Sequence, residues 1–300
     1  MSAYLGELLA LLSAFFFACS NVAVAKGAVG GRGDHGAMLS VVITIGVSGV
    51  LWLVLEGGGI GAPSPGWWAG IAWFALAGLF ATTFGRGLLF VSIRRLGVTR
   101  ASALKRLIPF FSVILAVAIL GERATAPDLA GMAMIGIAFA ILIRGAMARS
   151  GEGLEAPPAD YGWGVFSALG YAFSYIARKY GLAAIALPAF ATLVSAIAAL
   201  AAFASVALFS RHYRDAFGNM FRYANRWLVA AGLLMSFGQF LLFAALVHAP
   251  VSSVVMISSL ETFLAVFLSV FVFRTEAAPN TGTYVAAALA TFGVVAIAVG

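Results

Sequence analysis

Apolar residues in this chain come in long blocks separated by short polar connections. Ten runs, at about 8–25, 37–55, 67–91, 101–120, 127–143, 162–184, 188–209, 227–247, 251–273 and 279–299, stay hydrophobic almost throughout. Each holds roughly 18–25 residues, enough to cross about 30 Å of hydrocarbon at 1.5 Å per residue. The pattern predicts ten membrane-spanning helices. Lys105 and Arg106 lie near the start of the fourth run, where long basic side chains can snorkel to the interface. The longest polar connections, 144–161 and 210–226, are too short to form a soluble domain. The expected fold is therefore an all-α integral membrane protein that interacts with the lipid bilayer along its length.

Composition supports this reading. The chain is 63% hydrophobic and 10% charged, with mean hydropathy +1.04, whereas a soluble domain of this length needs a far more polar surface. The net charge of +7 reads as basic residues kept on one side of a membrane rather than as a nucleic-acid surface. One cysteine, Cys19, rules out an internal disulfide. The segment before the first run, "MSAYLGE", lacks the basic residues of a signal peptide, so the first run reads as a permanent helix.

Counting lysine and arginine by alternate connections gives 14 on one side and 3 on the other, with Arg86 inside a run. The group of three consists of Arg123, Arg178 and Lys179, the last two read as part of a loop at 178–187. The bias places the basic connections in the cytoplasm and both termini outside, as in a multi-pass protein of a bacterial inner membrane.

Two stretches recur. "FGRGLLF" (84–90) resembles "FGQFLLF" (237–243) at an offset of 153, which sets Thr83 on Ser236 and Arg86 on Gln239. "SAFFFACSNVAVAKG" (13–27) aligns with "SALGYAFSYIARKYG" (167–181) at 154, which sets Asn21 on Tyr175. The repeat unit is five helices, giving halves 1–150 and 151–300. Because five is odd, the second half enters the membrane from the opposite face. Such inverted repeats hold substrate near the midplane between the halves.

Polar residues within the runs mark the candidate site. An arginine at the bilayer centre costs at least about 2.5–3.5 kcal/mol, so Arg86 needs a partner or a job. Thr82 and Thr83 precede it by four and three residues, and Ser236 and Gln239 mirror that face on the eighth helix. Glu261 lies in the middle of the ninth run, where it can bind an amine, carry a coupling proton or pair with Arg86. Asn21 and Tyr175, each next to a serine, complete the candidate set: Arg86, Glu261, Gln239, Thr83, Ser236, Asn21 and Tyr175. Glu122 and Glu276 sit at helix ends and read as caps. Trp67, Trp68, Trp163 and Trp227 read as interfacial anchors. Pro109 reads as a kink and Pro250 as a helix start. The three histidines lack metal-binding spacing and no enzyme motif appears, so neither a metal, a cofactor nor an enzymatic activity is expected.

"LIPFFSVILAVAILGERATAPDLAGMAMIGIAFAIL" (107–142) resembles the end of an EamA domain: an early proline (Pro109), then Gly-Glu-Arg (Gly121, Glu122, Arg123), then a helix rich in small residues. Residues 259–297 match more loosely, with Thr262 in place of a proline after Glu261 and Arg274-Thr275-Glu276 in place of Gly-Glu-Arg. The resemblance implies a drug/metabolite transporter with a cavity lined by the third, fourth, eighth and ninth helices and parts of the first and sixth. Many such proteins have cytoplasmic termini, unlike the orientation read from the charges here. The functional expectation is a secondary transporter, an exporter of small polar metabolites, with Arg86 and Glu261 suiting an amino acid or similar zwitterion. The alternatives are a drug or nucleotide-sugar carrier, or a non-transporting subunit or lipid-handling partner. A monomer or homodimer is expected.

Overall fold

A computed structural model describes residues 4–27, 33–59, 66–123, 125–150, 157–273 and 281–299. Arg274, Thr275 and Glu276 lie outside the described residues. The described chain is helical with no strands, and ten helices occupy the ten apolar runs: α1 (Leu5–Gly27), α2 (Gly33–Leu55), α3 (Trp67–Leu96), α4 (98–120), α5 (Ala126–Ser150), α6 (Pro158–Ala184), α7 (Pro188–Phe209), α8 (Arg226–His248), α9 (Val251–Val272) and α10 (Thr281–Val299). Eight of them are long and apolar enough to cross a membrane by themselves. The other two are α6, which carries Asp160, Arg178 and Lys179, and the shorter α10. A surface helix, Arg211–Asn219, joins α7 to α8. Its Arg214 donates through Nη2 to the Leu208 carbonyl at 2.7 Å and through Nε to the Ala207 carbonyl at 3.3 Å. A cation there satisfies the carbonyls that end α7.

In lipid there is no hydrophobic gain from helix association, so close packing of small residues and interhelical hydrogen bonds must hold the bundle. α1 lies along α8, where the Ser13 hydroxyl donates to the Gly238 carbonyl at 2.8 Å and Ser20 to the Ala231 carbonyl at 2.9 Å. α6 lies along α3 in the same way, with Ser167 donating to the Gly85 carbonyl at 2.6 Å. Ser13 and Ser167 are equivalent in the repeat, as are Gly85 and Gly238. Each recurring serine stretch therefore packs on the recurring glycine stretch of the other half. α5 and α10 pair beside this core, and a Cβ on Gly293 would stand 2.7 Å from the Gly131 carbonyl oxygen.

The repeat extends to irregularities in the helices. α4 breaks at 106–107 and α9 at 259–260, again 153 apart. Both then finish in wide turns, Ala116–Leu120 and Leu268–Val272, with i→i+5 hydrogen bonds. Pro109 follows the break in α4, as a proline that cannot donate to the preceding turn should. Pro250 precedes α9. One helix irregularity is not repeated: α3 runs in the wide pattern over Phe80–Gly87, whereas α8 is regular throughout.

The tryptophans divide. Trp68 and Trp163 are exposed at helix starts, as interfacial anchors should be, but Trp67 is packed inside the bundle. One end of the bundle carries both ends of the described chain together with the α2–α3, α4–α5, α6–α7 and α8–α9 connections. It is called the terminal face here. The opposite end, with most of the arginines, is the basic face.

Candidate functional site

Between the halves lies a cavity of about 250 Å³, lined from α1–α4 and from α6–α9. α2 contributes Ser40 and Thr44, and α7 contributes Thr192 and Ser195, so these two helices join the set expected from the resemblance. A second cavity of about 410 Å³ runs between α1, α4 and α9, along Asn21 to Ala25, Ser102 to Pro109 and Val255 to Ser269. On each helix that path leads toward the basic face. The cavities share Asn21, Lys105, Ile108, Tyr175 and Glu261.

Five of the seven candidate residues line the central cavity: Asn21, Arg86, Tyr175, Gln239 and Glu261. The Asn21 amide donates to Glu261 Oε1 at 2.6 Å, which ties α1 to the break in α9. Arg86 and Glu261 do not pair. At the basic face Arg95 pairs with Asp160 at 2.8 Å, and His35 Nε2 lies 3.3 Å from Asp215 Oδ2. Arg86 Nη1 is buried and makes no hydrogen bond to the protein, and the guanidinium lies 5.9 Å from the centre of the Phe203 ring.

Two of the candidates are placed elsewhere. Thr83 is exposed and does not line the cavity, and Thr82 takes the expected place. The wide turns of Phe80–Gly87 explain the exchange. A turn closed by i→i+5 bonds needs more residues than an α-turn, so the residue four before Arg86 stays on its face and the residue three before is carried around. The Thr82 hydroxyl donates to the Gly78 carbonyl. Ser236 is buried in a helix seam, where its hydroxyl donates to the Gly232 carbonyl at 2.7 Å and lies 2.9 Å from Thr44 Oγ1.

The sequence reading also misplaced four cations. Arg178 and Lys179 belong to α6 and not to a loop, and Arg178 is only 6% exposed. Its Nε and Nη1 make no hydrogen bond to the protein, while the guanidinium lies 4.9 Å from the Phe243 ring centre and 5.2 Å from that of Tyr175. Lys105, which stays exposed, and the half-buried Arg106 line the cavities rather than the lipid-facing surface. Lys105 lies 5.8 Å from the Tyr171 ring centre, and Arg106 lies 5.4 Å from that of Phe139, with Nη1 unbonded. A signal existed: Tyr171, Tyr175 and Arg178 follow the i, i+4, i+7 spacing of one helical face.

At the terminal face the halves clamp each other through helix ends. Glu122 accepts hydrogen bonds from the backbone N–H of Val251 at 2.7 Å and of Ser252 at 3.0 Å, and from the Ser252 hydroxyl at 2.7 Å. The expected cap is thus made for α9, in the other half. Glu56, at the end of α2, does the same for α7 through the N–H groups of Ala189 at 2.8 Å and Phe190 at 3.1 Å. Within the second half, Lys179 donates to the carbonyls of Leu246 at 2.7 Å and Ala249 at 3.0 Å, at the end of α8. Carboxylates at helix N-termini and ammonium groups at C-termini both gain from the helix dipole.

Comparison with known proteins agrees with this architecture. The profile of the EamA-like transporter family matches residues 4–144 and again residues 160–299. No curated protein matches significantly. A solved structure described only as a crystal structure of a protein is 21% identical, covers 97% of this chain and 94% of its own, and superposes with a TM-score of 0.71, which shows a shared fold. With the family profile matched twice over nearly the whole length, in two halves that form one bundle around a shared central cavity, the chain belongs to the EamA-like transporter family.

Proposed function

We propose that this protein is a secondary transporter, a carrier rather than an enzyme, that moves a small polar metabolite by alternating access. The observation that carries the reading is the polar cavity at the interface of two inverted halves, continuous along shared residues with a second cavity toward the basic face. Inverted-repeat carriers alternate by rocking one half against the other around such a site. The Glu56 and Glu122 clamps between the halves close the terminal face in this state. A scaffold or lipid-handling subunit has no use for charged groups held inside its bundle at this cost.

With Arg178 turned into the bundle, the described cations toward the terminal face are Lys179 and Arg123, which strengthens the charge asymmetry. We therefore place the basic face in the cytoplasm and both termini outside, in a bacterial inner membrane. The cavity then loads from the cytoplasm, which supports export. In this reading Arg86 holds an acidic group of the substrate, with Gln239, Tyr175 and Asn21 around it. Glu261 receives an amine or a coupling proton. An amino acid meets both requirements through guanidinium–carboxylate and carboxylate–ammonium pairs.

The test is efflux from proteoliposomes loaded with amino acids, carboxylic acids and phosphate esters, read by mass spectrometry with and without a proton gradient. At least one compound should leave faster than from protein-free vesicles. Equal retention of every compound rejects the transport reading.

A further inference from the structure

Four cations line the two cavities, Arg86, Lys105, Arg106 and Arg178, against a single carboxylate, Glu261, among the described lining residues. Glu261 already accepts from Asn21, and Arg106 interacts with it electrostatically across the second cavity. The central cavity therefore holds three cations, Arg86, Lys105 and Arg178, against that one carboxylate.

Burying a charge without a partner is costly, and a nearby aromatic ring offsets only part of the cost. Arg178 shows this most clearly. It is 6% exposed, its Nε and Nη1 make no hydrogen bond to the protein, and its neighbours are the Tyr175 and Phe243 rings. Arg86 repeats the arrangement from another helix, with Nη1 unbonded and Phe203 beside it. A zwitterion adds no net charge and leaves this excess in place. A monoanion satisfies one guanidinium and leaves the other.

We propose that the central cavity selects substrates with two acidic groups, dicarboxylates or phosphate esters, held between the guanidinium groups of Arg86 and Arg178. This inference rests on the transport reading and names its substrate class. An acidic group fits the planar guanidinium fork through two parallel hydrogen bonds, a geometry lysine does not offer. Lys105, at the junction of the two cavities, adds a point charge on the path from the basic face. Glu261 remains able to receive an ammonium group, so an acidic amino acid belongs to the same class.

The experiment is a thermal-shift titration of the purified full chain at constant ionic strength. The probes are succinate, glutamate, glycerol 3-phosphate, acetate, leucine and ethanolamine. A probe that binds only the folded state raises the melting temperature. Succinate, glutamate or glycerol 3-phosphate should do so at concentrations where acetate, leucine and ethanolamine do not, and succinate against glycerol 3-phosphate separates carboxylate from phosphate chemistry. Arg178→Gln and Arg86→Gln should each weaken the response at least about tenfold, the loss expected for one charge-assisted hydrogen bond. The ligand-free melting temperature of Arg178→Gln should equal or exceed the wild type, because a buried unopposed charge has been removed. A structural role predicts the reverse. If Arg178→Gln does not fold, the structural role has won at Arg178, and Arg86→Gln decides whether a guanidinium binds the acid. The proposal is overturned by a flat response to all three diacids, by a shift with leucine or ethanolamine alone, or by a diacid shift that survives in both variants. A zwitterion that binds and crosses proteoliposomes rejects the diacid class and leaves transport standing. A diacid that binds and never crosses does the opposite.

Discussion

Replacing Glu122 by glutamine tests what holds the terminal face shut. The carboxylate accepts three hydrogen bonds, two from the first N–H groups of α9 and one from the Ser252 hydroxyl. Hydrogen bonds to a charged acceptor are worth about 1.5–3 kcal/mol, and a negative charge at a helix N-terminus adds about 0.3–1 kcal/mol. Glutamine keeps one acceptor oxygen, loses the charge and turns an NH2 group toward an N–H donor. Glu122 is half-buried, so water screens part of the loss. A net of about 2 kcal/mol remains, or about a thirtyfold shift toward the state with this face open. The assay is a Cys19→Ser protein carrying Thr192→Cys, a position on the first turns of α7 that lines the central cavity. A membrane-impermeant maleimide applied from the terminal side should label it slowly in the otherwise wild-type protein and about thirtyfold faster with Glu122→Gln. If the variant melts at a lower temperature but labels at the same rate, Glu122 is a static cap and the gate assignment is refuted.

Three other outcomes follow from the same geometry. Glu261→Gln keeps an oxygen for the Asn21 amide, so the protein should fold normally while transport falls more than tenfold; wild-type transport at every pH tested would remove Glu261 from the mechanism. Alkaline phosphatase fused after Gly300 should be active, since that enzyme works only outside the cytoplasm, and an inactive fusion paired with an active cytoplasmic reporter at the same point reverses the orientation. Gly293→Val should lower folded yield and stability by about 1–3 kcal/mol, because its Cβ meets the Gly131 carbonyl oxygen of α5; unchanged melting would mean that α5 and α10 separate without loss.

Sequence by itself determined the ten helices, the two five-helix halves and the family. Those features depend on average hydropathy and on residues that recur at a fixed offset, and neither requires knowing which residues touch. It also picked out Arg86, Glu261, Asn21, Tyr175 and Gln239, because a polar residue in an apolar run is conspicuous wherever it points. Helix phase was not legible. The wide turns of Phe80–Gly87 turn Thr83 away and bring Thr82 in, and no residue type in that stretch announces an i→i+5 pattern. Arg178 and Lys179 resembled a loop because two adjacent charges depress local hydropathy. α6 continues past them to Ala184 because one reaches the cavity and the other the carbonyls that end α8. Only the tertiary structure decided that Ser13 meets Gly238 while Ser167 meets Gly85, and that Glu122 caps α9. These contacts join residues tens to hundreds of positions apart. In lipid, hydropathy does not choose between neighbouring apolar helices, so the partner is set by which small residues allow close approach and which buried polar groups satisfy each other.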